Sequence, residues 1–280
     1  MLHENYQDFL KYSIEITGKN NKIYLIGNES VKHLEDHPSV TFVDINKYMN
    51  SEDIKLFDKN FVHYGDKDRR SYLFWFIRLM ILYEFAKDYN FESFVSCDSD
   101  NVILKDVNSF PFQSKNALVV PQDWEPFYYG AGVHSSLVNL EFCEIYKNLI
   151  IDIFFNKTKI DFIDEKINFH LSNPGSFCDM TIYSYIVQNE LIEVDNTMVP
   201  RDYLGKKFIF TNSYATAEGF HFRDQYKLFR GKQLIKRDKS VNSNYIIDKR
   251  TKEKHYIANI HFQGKQKRFL NKKIANWLYY

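Results

Sequence analysis

Cysteine, proline and glycine are scarce in this chain. It has three cysteines in 280 residues, Cys97, Cys143 and Cys178, at no metal-binding spacing. That excludes a disulfide-stapled scaffold and fits reduced, buried thiols in a cytoplasmic protein. Six prolines and ten glycines form no long linker, and no internal repeat is visible. An excess of either charge is also missing. Lys and Arg number 37 against 36 Asp and Glu, a formal net charge of +1, so no global nucleic-acid signature exists and no nucleic-acid partner is expected. The longest apolar run, Leu73 to Phe85, is broken by Arg78 and Glu84, which argues against a transmembrane span. No N-terminal signal peptide is visible. What the chain has in quantity is apolar and aromatic side chains, 44% and 17% of residues. That is ample for the core of one large domain, expected over residues 1–270, with a basic, aromatic tail over 271–280.

Hydrophobic periodicity places alternating elements along the chain. Residues 6–15, with Phe9, Leu10 and Ile14, keep close to a helical period. Residues 22–27 and 40–44 read as buried strands, 71–88 as a strong helix, and 91–96 as a strand. A strand is expected at 117–121, helices at 140–156 and 182–191, and a short strand at 208–210. Strands alternating with helices predict an α/β fold with a mostly parallel sheet. Ligands of such sheets collect at the carboxyl ends of the strands.

At one such end stands Asp98-Ser99-Asp100. Two carboxylates at i and i+2 in a turn can point the same way and hold a hard divalent cation, leaving positions open for phosphate. A strand-end turn without a metal is the plain alternative. A second motif, His261-Phe262-Gln263-Gly264-Lys265-Gln266-Lys267, follows the apolar stretch 256–260. A neutral imidazole can ligate a metal, and a glycine amide and an ammonium can cradle phosphate oxygens. Alone, it reads first as a solvated basic turn beside a packed histidine.

Together the two motifs resemble the metal-dependent glycosyltransferases of the GT-A fold, with glycosyltransferase family 8 and its bacterial and viral relatives the best match. The resemblance implies a GT-A-like, Rossmann-like fold in which Asp98, Asp100 and His261 hold Mn²⁺ or Mg²⁺. It also implies that Gly264 and Lys267 contact the diphosphate of a nucleotide-sugar donor, with UDP as the nucleotide. Arg78 matches the arginine that reaches the donor from the helix before the D-x-D strand; its other reading is a snorkelling surface residue. Asp179 matches the family's Asp in an Asp-Gln pair, where Met180 replaces the Gln. It is read as a sugar or acceptor contact, as a base, or as a helix N-cap. Residues 129–133 resemble the family's Asn-Ala-Gly lead-in to a strand, with Gly130 in place of the Asn, and Asn139-Leu140-Glu141 resembles the strand-to-helix step that follows. Arg268-Phe269 stands where the family has Pro-Trp.

The resemblance implies transfer of a hexose, with retention, to a glycan, glycoconjugate or lipid-linked glycan acceptor. The fold normally opens with a strand and a base-contacting loop. Residues 1–5 are too few for both, so the first strand is expected to be short or missing, through truncation or a nucleotide pocket built differently. Two other classes remain. One is a non-catalytic carbohydrate-binding relative of the same fold. The other is a haloacid-dehalogenase-like phosphatase using Asp98 and Asp100, which fits Asp-Ser-Asp-Asn-Val but lacks a later acidic motif. Basic residues accumulate from Arg223 onward, and Lys272, Lys273, Trp277, Tyr279 and Tyr280 end the chain. This pattern suits peripheral contact with an anionic membrane, or a tail helix packed on the domain.

Overall fold

The structure, a computed structural model, describes residues 1–64, 68–120, 130–173, 175–211, 213–214, 226, 228–229 and 232–279, with backbone alone at 228–229, 232–233 and 279. Pro121, Tyr129, Arg223, Tyr280 and the side chain of Tyr279, which figure in the sequence reading, lie outside what is described. The chain divides into two compact units. The first comprises Met1–Asp44, Cys97–Phe112 and Asn196–Tyr280, and the second Ile45–Ser96 and Gln113–Asp195.

The first unit opens with β1 (Leu2–His3), α1 (Asp8–Thr17), β2 (Ile23–Gly27) and β3 (Val40–Asp44). Strands β1, β2 and β3 form a parallel sheet, with Ile23 opposite Val40 and Leu2 opposite Ile26. Strand β2 is buried along nearly its whole length, as parallel strands covered on both faces are. Its core joins Leu10 and Ile14 of α1 to Ile23, Leu25, Val31, Leu34 and Val40. The first strand is therefore present, reduced to two residues. Gly27 makes room for it: a Cβ there would lie 2.5 Å from both the His3 carbonyl oxygen and Val31 Cγ2.

The second unit contains α2 (Asn46–Met49), α3 (Glu52–Asn60), α4 (Arg69–Asp88), most of β4 (Ser93–Cys97), β6 (Ala117–Val119), β7 (Gly132–Asn139), α5 (Leu140–Phe154), α6 (Asp161–Ser172), α7 (Asp179–Gln188) and Asp195. Asp68 starts α4 by accepting the Ser71 amide at 3.0 Å, and Asn139 starts α5 by accepting that of Phe142 at 2.8 Å, both through side-chain oxygens that suit a helix N-terminus. An aromatic cluster fills the space between helices: Phe57, Phe61, Phe76 and Phe154 meet with ring centroids 5.2–6.0 Å apart.

The remaining strands belong to the first unit: β5 (Asn101–Ile103), the end of β8 (Asp195–Asn196), β9 (Arg201–Tyr203), β10 (Lys206–Ile209), β11 (Leu228–Phe229), β12 (Lys232–Gln233), β13 (Lys236–Asp238), β14 (Ser243–Ile247), β15 (Lys254–Ile257) and β16 (Asn259–His261). Five of them form a sheet in the order β13-β14-β15-β10-β9. Only its β10–β15 pair is parallel; the other three pairs are antiparallel. The fold is α/β as expected, and its first sheet is parallel. Parallel pairing does not extend through the later strands, because short turns such as Leu204-Gly205 and 248–253 join neighbours directly and leave no length for a crossover.

The last helix, Lys272–Tyr279, lies against α1 with Ala275 and Leu278 buried and Trp277 37% exposed. Arg237 Nη1 and Asn244 Nδ2 donate to its Leu278 carbonyl at 2.7 and 3.0 Å. Among the described residues, no helix is long and apolar enough to cross a membrane.

Candidate metal centre

The Asp98-Ser99-Asp100 motif occupies a turn between β4 and β5. The Asn101 amide donates to the Asp98 carbonyl at 2.9 Å and closes the turn, while Leu2 and Asp98 form an isolated parallel bridge. His261 arrives from the far end of the sequence because β16 pairs antiparallel with β5, setting His261 opposite Asn101 and Ile260 opposite Val102. One further bond, from the Phe262 amide to the Asp100 carbonyl at 2.9 Å, continues that pairing into the turn.

One ligand atom each from Asp98, Asp100 and His261 can be chosen so that all lie within 4.8 Å of one another. Ligand atoms about 2.2 Å from a common ion lie roughly 3–4.4 Å apart, so the three side chains need only draw closer together to hold one. Two hard carboxylates and one imidazole suit Mn²⁺ or Mg²⁺ with coordination positions left for phosphate oxygens. The residues present thus fit the metal that the sequence pattern implies.

Asp100 is the hub. His261 Nε2 lies 3.3 Å from its Oδ1 and Lys267 Nζ 3.1 Å from its Oδ2. Burial alone would raise the Asp100 pKa; the His261 hydrogen bond and the charges of His261 and Lys267 outweigh it and hold the carboxyl at about 2. Asp100 is therefore an anion at neutral pH although only 4% exposed. Lys267 sits on a 3₁₀ turn, Gly264–Phe269. Gly264 opens that turn at φ +55°, a left-handed conformation that glycine adopts without strain. Lys267 also lines an open cleft of about 580 Å³ with Tyr6, Phe9, Lys11, Tyr12 and Arg268.

Arg78 and Asp179 are in the second unit and meet each other. Arg78 Nε and Nη2 bond to Asp179 Oδ2 at 2.8 and 2.7 Å, so Arg78 is not a snorkelling surface residue. Asp179 is 2% exposed, and it is the first residue of α7 while Cys178 holds the N-cap position. Its Oδ1 accepts its neighbour's amide, Met180 N, at 2.9 Å. The N-cap reading is corrected to this extent: the carboxylate sits in the first turn, where the helix dipole favours it, and is held mainly by Arg78.

No family model and no curated protein matches the chain. Among solved structures it is similar to the apo form of mouse xyloside xylosyltransferase 1, at 10% identity and a TM-score of 0.47, over 77% of this chain and 87% of that one. At that level the similarity bears on neither substrate nor activity.

Sequence reasoning singled out Arg78 and Asp179 separately and missed that they pair. It also passed over His3, whose Nδ1 lies 2.8 Å from Ser99 Oγ, inside the D-x-D turn. A serine between the two carboxylates was the available signal, but its partner stands 96 residues away, beyond the reach of local patterning.

Proposed function

We propose that the protein is a metal-dependent glycosyltransferase that moves a hexose from a nucleotide-diphosphate sugar, with UDP as the nucleotide, to a glycan or glycoconjugate acceptor. The observation that carries this reading is the convergence of Asp98, Asp100 and His261, with Lys267 on the same carboxylate. Mn²⁺ or Mg²⁺ held by these three residues would offset the charge that builds on the diphosphate as the sugar–phosphate bond breaks.

The chain's own groups do the rest. Lys267, with its side chain 38% exposed, is free to turn its ammonium from Asp100 to a phosphate oxygen. The Gly264 amide is assigned as a second donor to the leaving phosphate. The cleft beside Lys267 offers Tyr6 and Tyr12 rings with Lys11 and Arg268 against a single carboxylate, Asp8, a net basic, aromatic lining that could take a nucleoside and its phosphates. Arg78 and Asp179 are assigned to orienting sugar and acceptor. Bound twice by Arg78, Asp179 is a fixed hydrogen-bond acceptor. Peripheral membrane contact is assigned to the exposed Lys272, Lys273 and Trp277. It is best tested by liposome flotation of their substitutions, since truncation would strip Ala275 and Leu278 from the core.

The deciding experiment is calorimetric titration of UDP, with and without Mn²⁺, on wild type and Asp100→Ala. Metal-dependent binding that disappears in the variant is expected, followed by turnover of a UDP-sugar. Binding indifferent to both metal and Asp100 would sink the reading. Hydrolysis of an aryl phosphate that is lost in Asp98→Asn would replace it with the phosphatase.

A further inference from the structure

We infer that His3 is a positioning residue for the metal centre, acting through Ser99 and backed by Phe9. The inference rests on the metal reading of Asp98, Asp100 and His261 and concerns what holds that turn in shape.

Strand β1 touches the turn twice. Its Leu2 backbone bridges to Asp98, and its His3 side chain reaches Ser99 Oγ at 2.8 Å. Ser99 is 7% exposed and stands between the two carboxylates. Whichever atom carries the proton, the bond fixes the Ser99 side chain and with it the backbone between Asp98 and Asp100. It adds to the backbone bonds that shape the turn, the Asn101 amide to Asp98 carbonyl and the Phe262 amide to Asp100 carbonyl, a side-chain bond at the residue between the two carboxylates.

The His3 ring is itself braced. Its edge meets Phe9 of α1 with centroids 5.9 Å apart at 80°. The same Phe9 ring carries Lys267 Nζ 5.2 Å from its centroid, within cation–π range. One buried aromatic ring thus sets both the imidazole that holds the D-x-D turn and the ammonium that meets Asp100. Groups that orient metal ligands through hydrogen bonds change metal affinity when removed although they never touch the ion.

The test is Mn²⁺ binding, followed by loss of the free-ion paramagnetic resonance signal on titration. The full chain is compared as wild type, Ser99→Ala, His3→Phe, the double variant, His3→Asn and Asp100→Ala. Ser99→Ala removes one oxygen, and melting in EDTA verifies that each variant is folded. Each of Ser99→Ala and His3→Phe is expected to weaken Mn²⁺ binding roughly tenfold. The double variant should lose no more than the worse single one. His3→Asn, which keeps a polar atom near the Nδ1 position, should recover most of the loss. Folded Ser99→Ala and His3→Phe that bind Mn²⁺ like wild type, or losses that multiply in the double variant, would overturn the positioning role while leaving the metal reading intact. Wild type that binds Mn²⁺ no better than Asp100→Ala would overturn both.

Discussion

At the scale of single residues, Asp100 is shared between two side chains. Its Oδ2 faces Lys267 at 3.1 Å and its Oδ1 faces His261 at 3.3 Å, so a divalent ion entering here displaces part of an existing charge balance. Removing the ammonium should separate two properties that usually move together. Lys267→Met is expected to bind Mn²⁺ alone several-fold more tightly, because an approaching cation no longer meets a like charge. The same variant should bind UDP in the presence of Mn²⁺ at least tenfold more weakly, having lost a phosphate donor. Paired titrations check both, and a Lys267→Met protein that weakens in both would show that the lysine organises the turn. Gly264→Ala should cost about 1 kcal/mol in denaturant unfolding, since alanine resists the φ of +55°.

At the scale of elements, helix starts and ion pairs carry identifiable contributions. Asn139→Ala removes the side-chain cap of α5 and should destabilise the protein by about 1 kcal/mol, read as a lower denaturant midpoint at unchanged slope. Arg78→Met is expected to be far more costly, about 3–5 kcal/mol, because it leaves the buried Asp179 carboxylate without its guanidinium. Elements with strong contrast were legible in the sequence. Val40–Asp44 was read to the residue, Ile23–Gly27 and Arg69–Asp88 nearly so, because long apolar runs and a clean helical period admit one interpretation. Glu52–Asn60 and Asp161–Ser172 were not read, since charged residues dilute their period and only a few positions face the core. Strands such as Lys236–Asp238 and Lys254–Ile257 escaped because they are short, lysine-containing and defined by their neighbours. The D-x-D and the late histidine were recognisable as motifs. That His3 and Arg78 each reach a specific partner was not, because those pairings exist only once the tertiary structure does.

At the scale of the whole molecule, near-neutral charge conceals buried ionisable groups. Lys166 is a lysine among the buried residues, and burial lowers its pKa to about 8, against a slight opposing effect of Cys178. The unfolded chain therefore holds more protons than the folded one between pH 8 and 10.5, and folding is favoured as pH rises through that window. Wild type should gain stability from pH 8 toward pH 10 relative to Lys166→Met. At pH 7 the Met variant should be the more stable by roughly 1–3 kcal/mol. Equal slopes for the two proteins would show that Lys166 keeps its ordinary pKa in the folded state.

The pairing of β5 with β16 joins Asp98 and Asp100 to a histidine more than half a chain length further on. On the ribosome, both aspartates emerge long before His261 does, and a chain arrested anywhere between them carries two acidic residues and no third ligand. Closure of so long a loop is among the slow events of folding. Binding of Mn²⁺ would therefore report on late folding, since the three ligands come together only once both β5 and β16 have been made and paired.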